Sequence, residues 1–238
     1  MEELLAPSPE QSAVAVLLIG FLFGLYHAIE ADHLAAVSAI VSEHKNLFAA
    51  SVIGGFWGVG HTISLFAVGA VVVLLKYQIS EATEGMLEGI VGIMLVLLGL
   101  NAIRKIFNAD QIHAHDHEHD GHKHVHIHLH KKDESGSSHH RFAPRAVLVG
   151  MVHGLAGSAG LMLLVLPTIS SPAVALLYIA IFGLGSIAGM MLMSLFLGLP
   201  LYFTAGRFSM INRAIRFAAG GFSLVWGSLL IHEKFFSA

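Results

Sequence analysis

The chain has no cysteine, so neither a disulfide nor a thiolate metal site can form. It is also poor in charge: Asp, Glu, Lys and Arg make up 12% of its 238 residues, against about 25% in an ordinary soluble chain. Residues 146–206 contain none of the four. A stretch of that kind does not stay solvated, but it is long enough to cross a hydrocarbon core of about 30 Å more than once. Lys and Arg are missing from the first 12 residues, which therefore lack the basic region of a cleaved signal peptide. No Walker motif is present, so the chain is not expected to hydrolyse ATP, and no enzymatic activity is expected of it.

Against these gaps, 55% of the residues are hydrophobic and the mean hydropathy is +0.72. Six apolar segments stand out, at residues 13–41, 49–77, 85–103, 146–166, 173–199 and 214–231. Each is near or above the roughly 20 residues that a spanning helix needs. Backbone groups in lipid must be satisfied internally, and these runs are too long and too uniformly apolar for barrel strands. The expected fold is an all-α membrane protein of six transmembrane helices. The first and fifth segments exceed a straight span, which predicts tilt, a kink or a broken helix.

Six spans put both termini on one side. That side carries only Lys76 and Lys234, while the other eleven Lys and Arg lie on the opposite side. Positive charge marks the cytoplasmic face, so both termini are expected outside and the long third loop in the cytoplasm of a multi-pass cell-membrane protein.

The two halves of the chain also repeat. Gly24-Leu25-Tyr26-His27-Ala28-Ile29 matches Gly150-Met151-Val152-His153-Gly154-Leu155, and Phe56-Trp57-Gly58-Val59-Gly60-His61 matches Ile181-Phe182-Gly183-Leu184-Gly185-Ser186. Glu88, Gly92 and Gly99 share their spacing with Arg216, Gly220 and Gly227. Three spans per copy force the second copy upside down, an architecture used by many secondary transporters. The expected organisation is a three-helix repeat in residues 1–103, a histidine-rich loop in 104–145 and an inverted three-helix repeat in 146–238. Small residues crowd the second and fifth segments, where they let membrane helices approach closely.

The unusual abundance is 17 histidines, eleven of them between positions 113 and 140. In the first apolar segment His27, Glu30, Asp32 and His33 fall within seven residues. Ionisable groups inside a membrane are costly unless paired, and they mark a pathway or a site. Imidazole suits nickel, cobalt, copper and zinc, whereas carboxylates alone suit magnesium or manganese. On one regular helix His27 and His33 would point about 120° apart. Either the helix breaks here or ligands come from several helices. His61 and His153, each a lone polar group in an apolar run, are the natural contributors. A lone buried histidine is otherwise simply hydrogen-bonded to a neighbour, and Thr62 and Ser64 can bond to backbone.

The loop histidines His113, His115, His117, His119, His122, His124, His126, His128 and His130 alternate with other residues, including Asp116 and Glu118. The composition is that of a metal-binding tract, read from sequence as a flexible loop without fixed geometry.

His27, four residues and then Asp32-His33 resembles the His-x4-Asp-His signature of the nickel/cobalt transporter superfamily. Gly60-His61-Thr62 is similar to its second signature, and 151–158 resembles the second-half motif of the shorter, UreH-like branch. Where that family often has Arg before the first histidine and Asp three residues after it, this chain has Tyr26 and Glu30. The resemblance implies a permease for Ni²⁺ or Co²⁺ with His27, Asp32 and His33 central to metal selection. It implies no prosthetic group, the metal being the transported ion. Uptake is the leading direction. The alternatives are efflux of nickel, cobalt or zinc, and a membrane accessory of urease maturation that binds metal without moving it. The partners implied are a divalent ion and the bilayer, with no nucleic acid. A second copy of the chain and a nickel-enzyme maturation system are the candidate protein partners.

Overall fold

Apolar sequence without internal proline in the first, second and third segments leaves helix as the conformation that satisfies the backbone there, and a computed structural model of the chain is helical over most of those runs, with a break at residues 28–30. It describes residues 9–42, 46–76, 79–108, 113–119, 122–128, 139–156, 169, 171–204 and 208–237. The elements are α1 (Pro9–His27), α2 (Ala31–Val41), α3 (Leu47–Leu75), α4 (Glu81–Asn108), β1 (His113–His119), β2 (His122–His128), α5 (His139–Ala156), α6 (Pro172–Thr204) and α7 (Ser209–Phe236).

α3, α4, α6 and α7 are each long and apolar enough to cross a membrane. α1 and α2 together form a fifth candidate, bent by 56° at their junction, so the first long segment is a broken helix. Of the fourth expected segment, α5 supplies the part up to Ala156, and the rest lies outside the described residues. Local chemistry sets the ends. Asn46 caps α3 by accepting from the N–H groups of Phe48 (2.9 Å) and Ala49 (3.3 Å). Lys76 ends the same helix with a positive φ of 51°.

Leu22, Leu97, Leu148, Phe196 and Phe203 point outward and are exposed, whereas His27, His33, His61, His153, Ser186, Ser194 and Ser223 are buried among apolar residues. An apolar exterior, with polar side chains kept inside, is what a lipid solvent selects.

Helices approach through small residues. A Cβ at Gly24 would collide with the Phe182 carbonyl of α6, and one at Gly150 with the Trp57 carbonyl of α3. α4 and α7 pack the same way: Gly92 abuts the Gly227 carbonyl and Ile231, while Gly220 abuts the Gly99 carbonyl and Ile103. Two hydroxyls tie helices to backbone, Ser223 Oγ donating to Leu95 O (2.8 Å) and Thr62 Oγ1 to Gly183 O (3.1 Å).

The histidine-rich segment departs from expectation. Residues 113–119 and 122–128 are antiparallel strands rather than a loop without fixed geometry. Their register sets His113 opposite His128, His115 opposite His126, His117 opposite His124 and His119 opposite His122. The cause is the period-two alternation, which is the repeat of a strand. His130 lies outside the described residues.

Candidate metal centre

The site is built at the break between α1 and α2. His27 is the last residue of α1. Tight bonds from Ile29 N–H to Tyr26 O (2.9 Å) and Glu30 N–H to His27 O (3.1 Å) close the helix, and α2 restarts when Leu34 N–H bonds to Glu30 O (2.9 Å). Glu30 is extended at the junction, with φ −60° and ψ 149°. The break removes the angular problem of a regular helix, and the rings of His27 and His33 now lie 4.2 Å apart. α3 adds His61, whose ring is 5.2 Å from His27 and 5.1 Å from His33. α5 adds His153, 4.3 Å from His33. All four histidines are at most 1% exposed. Glycines make this convergence possible, since Gly150 and Gly154 lie directly against the α3 backbone from Trp57 to His61.

Hydrogen bonds determine which nitrogens are free. Asp32 Oδ1 accepts from the backbone N–H of His33 (2.9 Å) and faces its Nδ1 (3.0 Å). Asp32 Oδ2 faces Nε2 of His153 at 2.9 Å. Glu30 Oε1 faces Nδ1 of His27 at 2.9 Å. An ionised carboxylate only accepts, so each facing nitrogen carries the proton. That assignment leaves lone pairs on His27 Nε2, His33 Nε2 and His153 Nδ1.

His27 Nε2 stands 3.2 Å from His61 Nε2. Two imidazole nitrogens bound to one tetrahedral ion at about 2.0–2.1 Å would sit about 3.3 Å apart. His33 Nε2, His61 Nδ1 and His153 Nδ1 are buried without a hydrogen-bond partner. Leaving a buried polar atom unsatisfied costs about 1–3 kcal/mol, so orphaned nitrogens on three neighbouring rings are sites for a further ligand. One ligand atom from each of His27, His33 and His61 can be chosen so that all lie within 4.8 Å of one another, and the same holds for Asp32, His33 and His153.

The carboxylate–imidazole pairs have the form used around metal ions. A ligating histidine commonly donates its second N–H to a carboxylate, which fixes ring and tautomer and raises the basicity of the other nitrogen. Glu30 does this for His27, and Asp32 for both His33 and His153. Asp32 also lies in the first turn of α2, where the helix dipole favours negative charge.

All six membrane residues singled out in the sequence, His27, Glu30, Asp32, His33, His61 and His153, come together here. The hairpin histidines belong to a separate element between α4 and α5. Sequence reasoning missed Trp57, whose ring lies 5.4 Å from His33 and 5.3 Å from His153 and walls the site. Its signal was available: it is one of only two tryptophans, placed one helical turn before His61.

Comparison with known proteins brings two matches. Residues 34–229 match the family model of the cytochrome c biogenesis protein transmembrane region. The chain is 35% identical over 216 residues to the urease accessory protein UreH of Bacillus sp. (strain TB-90), covering 90% of this chain and 89% of that protein. No solved structure matches the chain. With no cysteine, this chain performs no thiol–disulfide exchange of its own. Matches of that extent identify a multi-pass membrane protein that belongs to the cytochrome c biogenesis transmembrane-region family and is kin to the urease accessory protein UreH.

Proposed function

We propose that the chain is a permease for a divalent transition-metal ion, Ni²⁺ or Co²⁺, of the nickel/cobalt transporter superfamily, and that it works in uptake across the cytoplasmic membrane. The observation that carries this reading is the set of partnerless buried imidazole nitrogens at a broken helix. Broken helices near the midplane are where secondary transporters hold their ions. His27, His33 and His61 supply nitrogen lone pairs to the ion, Glu30 and Asp32 hold the rings, and His153 anchors Asp32 from α5. These half-buried carboxylates offset part of the charge of an arriving dication. The donor set suits a borderline metal rather than magnesium or calcium.

In this reading the two halves, residues 1–103 and 146–238, are inverted three-helix repeats joined by the histidine-rich segment 104–145. The paired glycine contacts support it. Gly24 meets α6 at Phe182 and Ser186 as Gly150 meets α3 at Trp57 and His61, and each partner is the other's equivalent at an offset of about 125. Alternating access is then a rocking of one repeat against the other around the histidine cluster. The charge asymmetry of the loops supports an orientation with both termini outside and the hairpin in the cytoplasm.

The second reading is a membrane accessory of urease maturation that binds nickel without moving it, favoured by the name of the UreH relative. Flux of radioactive nickel into proteoliposomes separates the two. A permease accumulates the ion with time, and His33→Ala abolishes accumulation at normal protein abundance. Saturable binding without accumulation would support the accessory instead, and accumulation that survives His33→Ala would remove the cluster from the reading.

A further inference from the structure

A cavity of about 330 Å³ lies beside the histidine cluster, lined by Glu30 and Asp32 and, farther along, by Glu88 of α4 and Glu233 and Lys234 of α7. The same Asp32 that holds His33 and His153 therefore forms part of its wall. Four carboxylates and one ammonium give this lining a formal surplus of three negative charges. The side chains of Asp32, Glu88 and Glu30 are 19%, 24% and 34% exposed, and that of Glu233 is 66% exposed.

Lys234 is the only cation among the described residues of the lining, and it has two anchors. Its Nζ is 2.6 Å from Glu88 Oε2 and 3.2 Å from Glu233 Oε1. The inner anchor is the better shielded and the outer one is nearly in water.

Resting on the permease reading, we propose that this cavity is the metal's entrance from the face bearing the C-terminal end of α7, and that Lys234 occupies Glu88 until an arriving dication displaces it. The exchange conserves the logic of charge. The dication takes over the Glu88 carboxylate, and the ammonium keeps Glu233 as it moves outward. A doubly charged ion gains twice the Coulomb energy of an ammonium at the same carboxylate, whereas a sodium ion gains no such advantage. Lys234 thus acts as a valence filter. The surplus carboxylates concentrate cations at the mouth, an effect that raises association rates about tenfold or more. Metal that passes Glu88 next meets Glu30 and Asp32, the two carboxylates that hold the histidine rings.

The test is nickel flux and equilibrium nickel binding with the full-length protein in lipid, comparing wild type with Lys234→Met, Lys234→Arg and Glu88→Gln. Lys234→Met should lower the KM for Ni²⁺ about tenfold at unchanged kcat. It should also make entry sensitive to Na⁺ when Na⁺ replaces choline at constant ionic strength. Glu88→Gln should raise KM by a similar factor, and Lys234→Arg should behave as wild type. If Lys234→Met leaves KM unchanged, or raises it together with a lower melting temperature, the pair is only a tie between α4 and α7 and the proposal falls. His33→Ala separates the two levels. Nickel binding lost in His33→Ala, with KM unmoved in Lys234→Met, removes the entrance alone. Binding retained in His33→Ala removes the metal centre, and with it the entrance as a route to that centre.

Discussion

Gly24 of α1 lies against Phe182 and Ser186 of α6, and Gly150 of α5 lies against Trp57 and His61 of α3. Gly60 meets the Val147 carbonyl, and Gly185 meets the Phe21 carbonyl. The two crossings share their backbone contacts but differ in chemistry. His61 brings an imidazole to within 3.2 Å of His27, while Ser186, fully buried at the matching place, has a hydroxyl with no hydrogen-bond partner. The small residues that let the helices touch stand on both sides, and the nitrogen donors stand mainly on one. The proposed permease gives a reason for that inequality. Ion binding must be favourable enough for entry yet weak enough for release. A second full histidine set across the interface would deepen the well and slow the exit.

The strongest way to break the comparison is to attack the shared part. Gly24→Leu and Gly150→Leu each place side-chain atoms where a carbonyl already sits, and overpacking of this kind costs about 3 kcal/mol. Both variants should lose folded protein in detergent extracts, read as monodisperse recovery on size-exclusion chromatography. A severe loss in one and a wild-type profile in the other would show that the two crossings are not equivalent.

The next change acts on the difference itself. His61→Ser gives α3 the residue that α6 already has. It should fold, because a serine is tolerated at the matching position, but nickel affinity should fall further than the about 10–100-fold expected when only an orienting partner is lost. Glu30→Gln supplies the smaller reference, since it removes the carboxylate partner of His27 Nδ1 and leaves the nitrogens in place. Ser186→Ala should leave nickel affinity near wild type. Isothermal titration of the purified proteins orders the three. If His61→Ser and Ser186→Ala weaken binding equally, the donor set is shared across the interface and the asymmetry drawn here is wrong.

Much of the centre was legible in sequence because polar residues in apolar runs are so few. His27, Asp32, His33, His61 and His153 announced themselves by context, and the 120° mismatch on a regular helix anticipated the break between α1 and α2. The tertiary assignments were not legible. Nothing in the spacing says that Glu30 reaches back to His27, or that Asp32 bridges to His153 on α5 from 121 residues away. Glu88 stood out only as part of a repeat and Lys234 only as a charge outside the spans, because their meeting depends on how α4 lies along α7. The hairpin was missed for a different reason: its two-residue period is a strand signal, but its composition directed attention to metal binding rather than to backbone pairing.

The smallest expected effect concerns that hairpin, which connects the two halves without belonging to either. Replacing residues 113–138, which stop short of α5, by a Gly/Ser linker of equal length should leave the helices folded and transport alive, because His27, His33 and His61 are on other elements. What should change is the metal concentration at which flux is half-maximal, and its response to pH. Free imidazoles titrate near pH 6.5, and a metal must displace their protons to bind. Hairpin binding should therefore weaken between about pH 7 and pH 5. A flux difference between the two proteins at pH 7 should shrink as the pH on the hairpin side is lowered. The measurement is flux against nickel concentration for both proteins at each pH. A linker variant that carries no metal at any concentration, while His61→Ser transports normally, would transfer the function from the interface of the two halves to the segment that joins them.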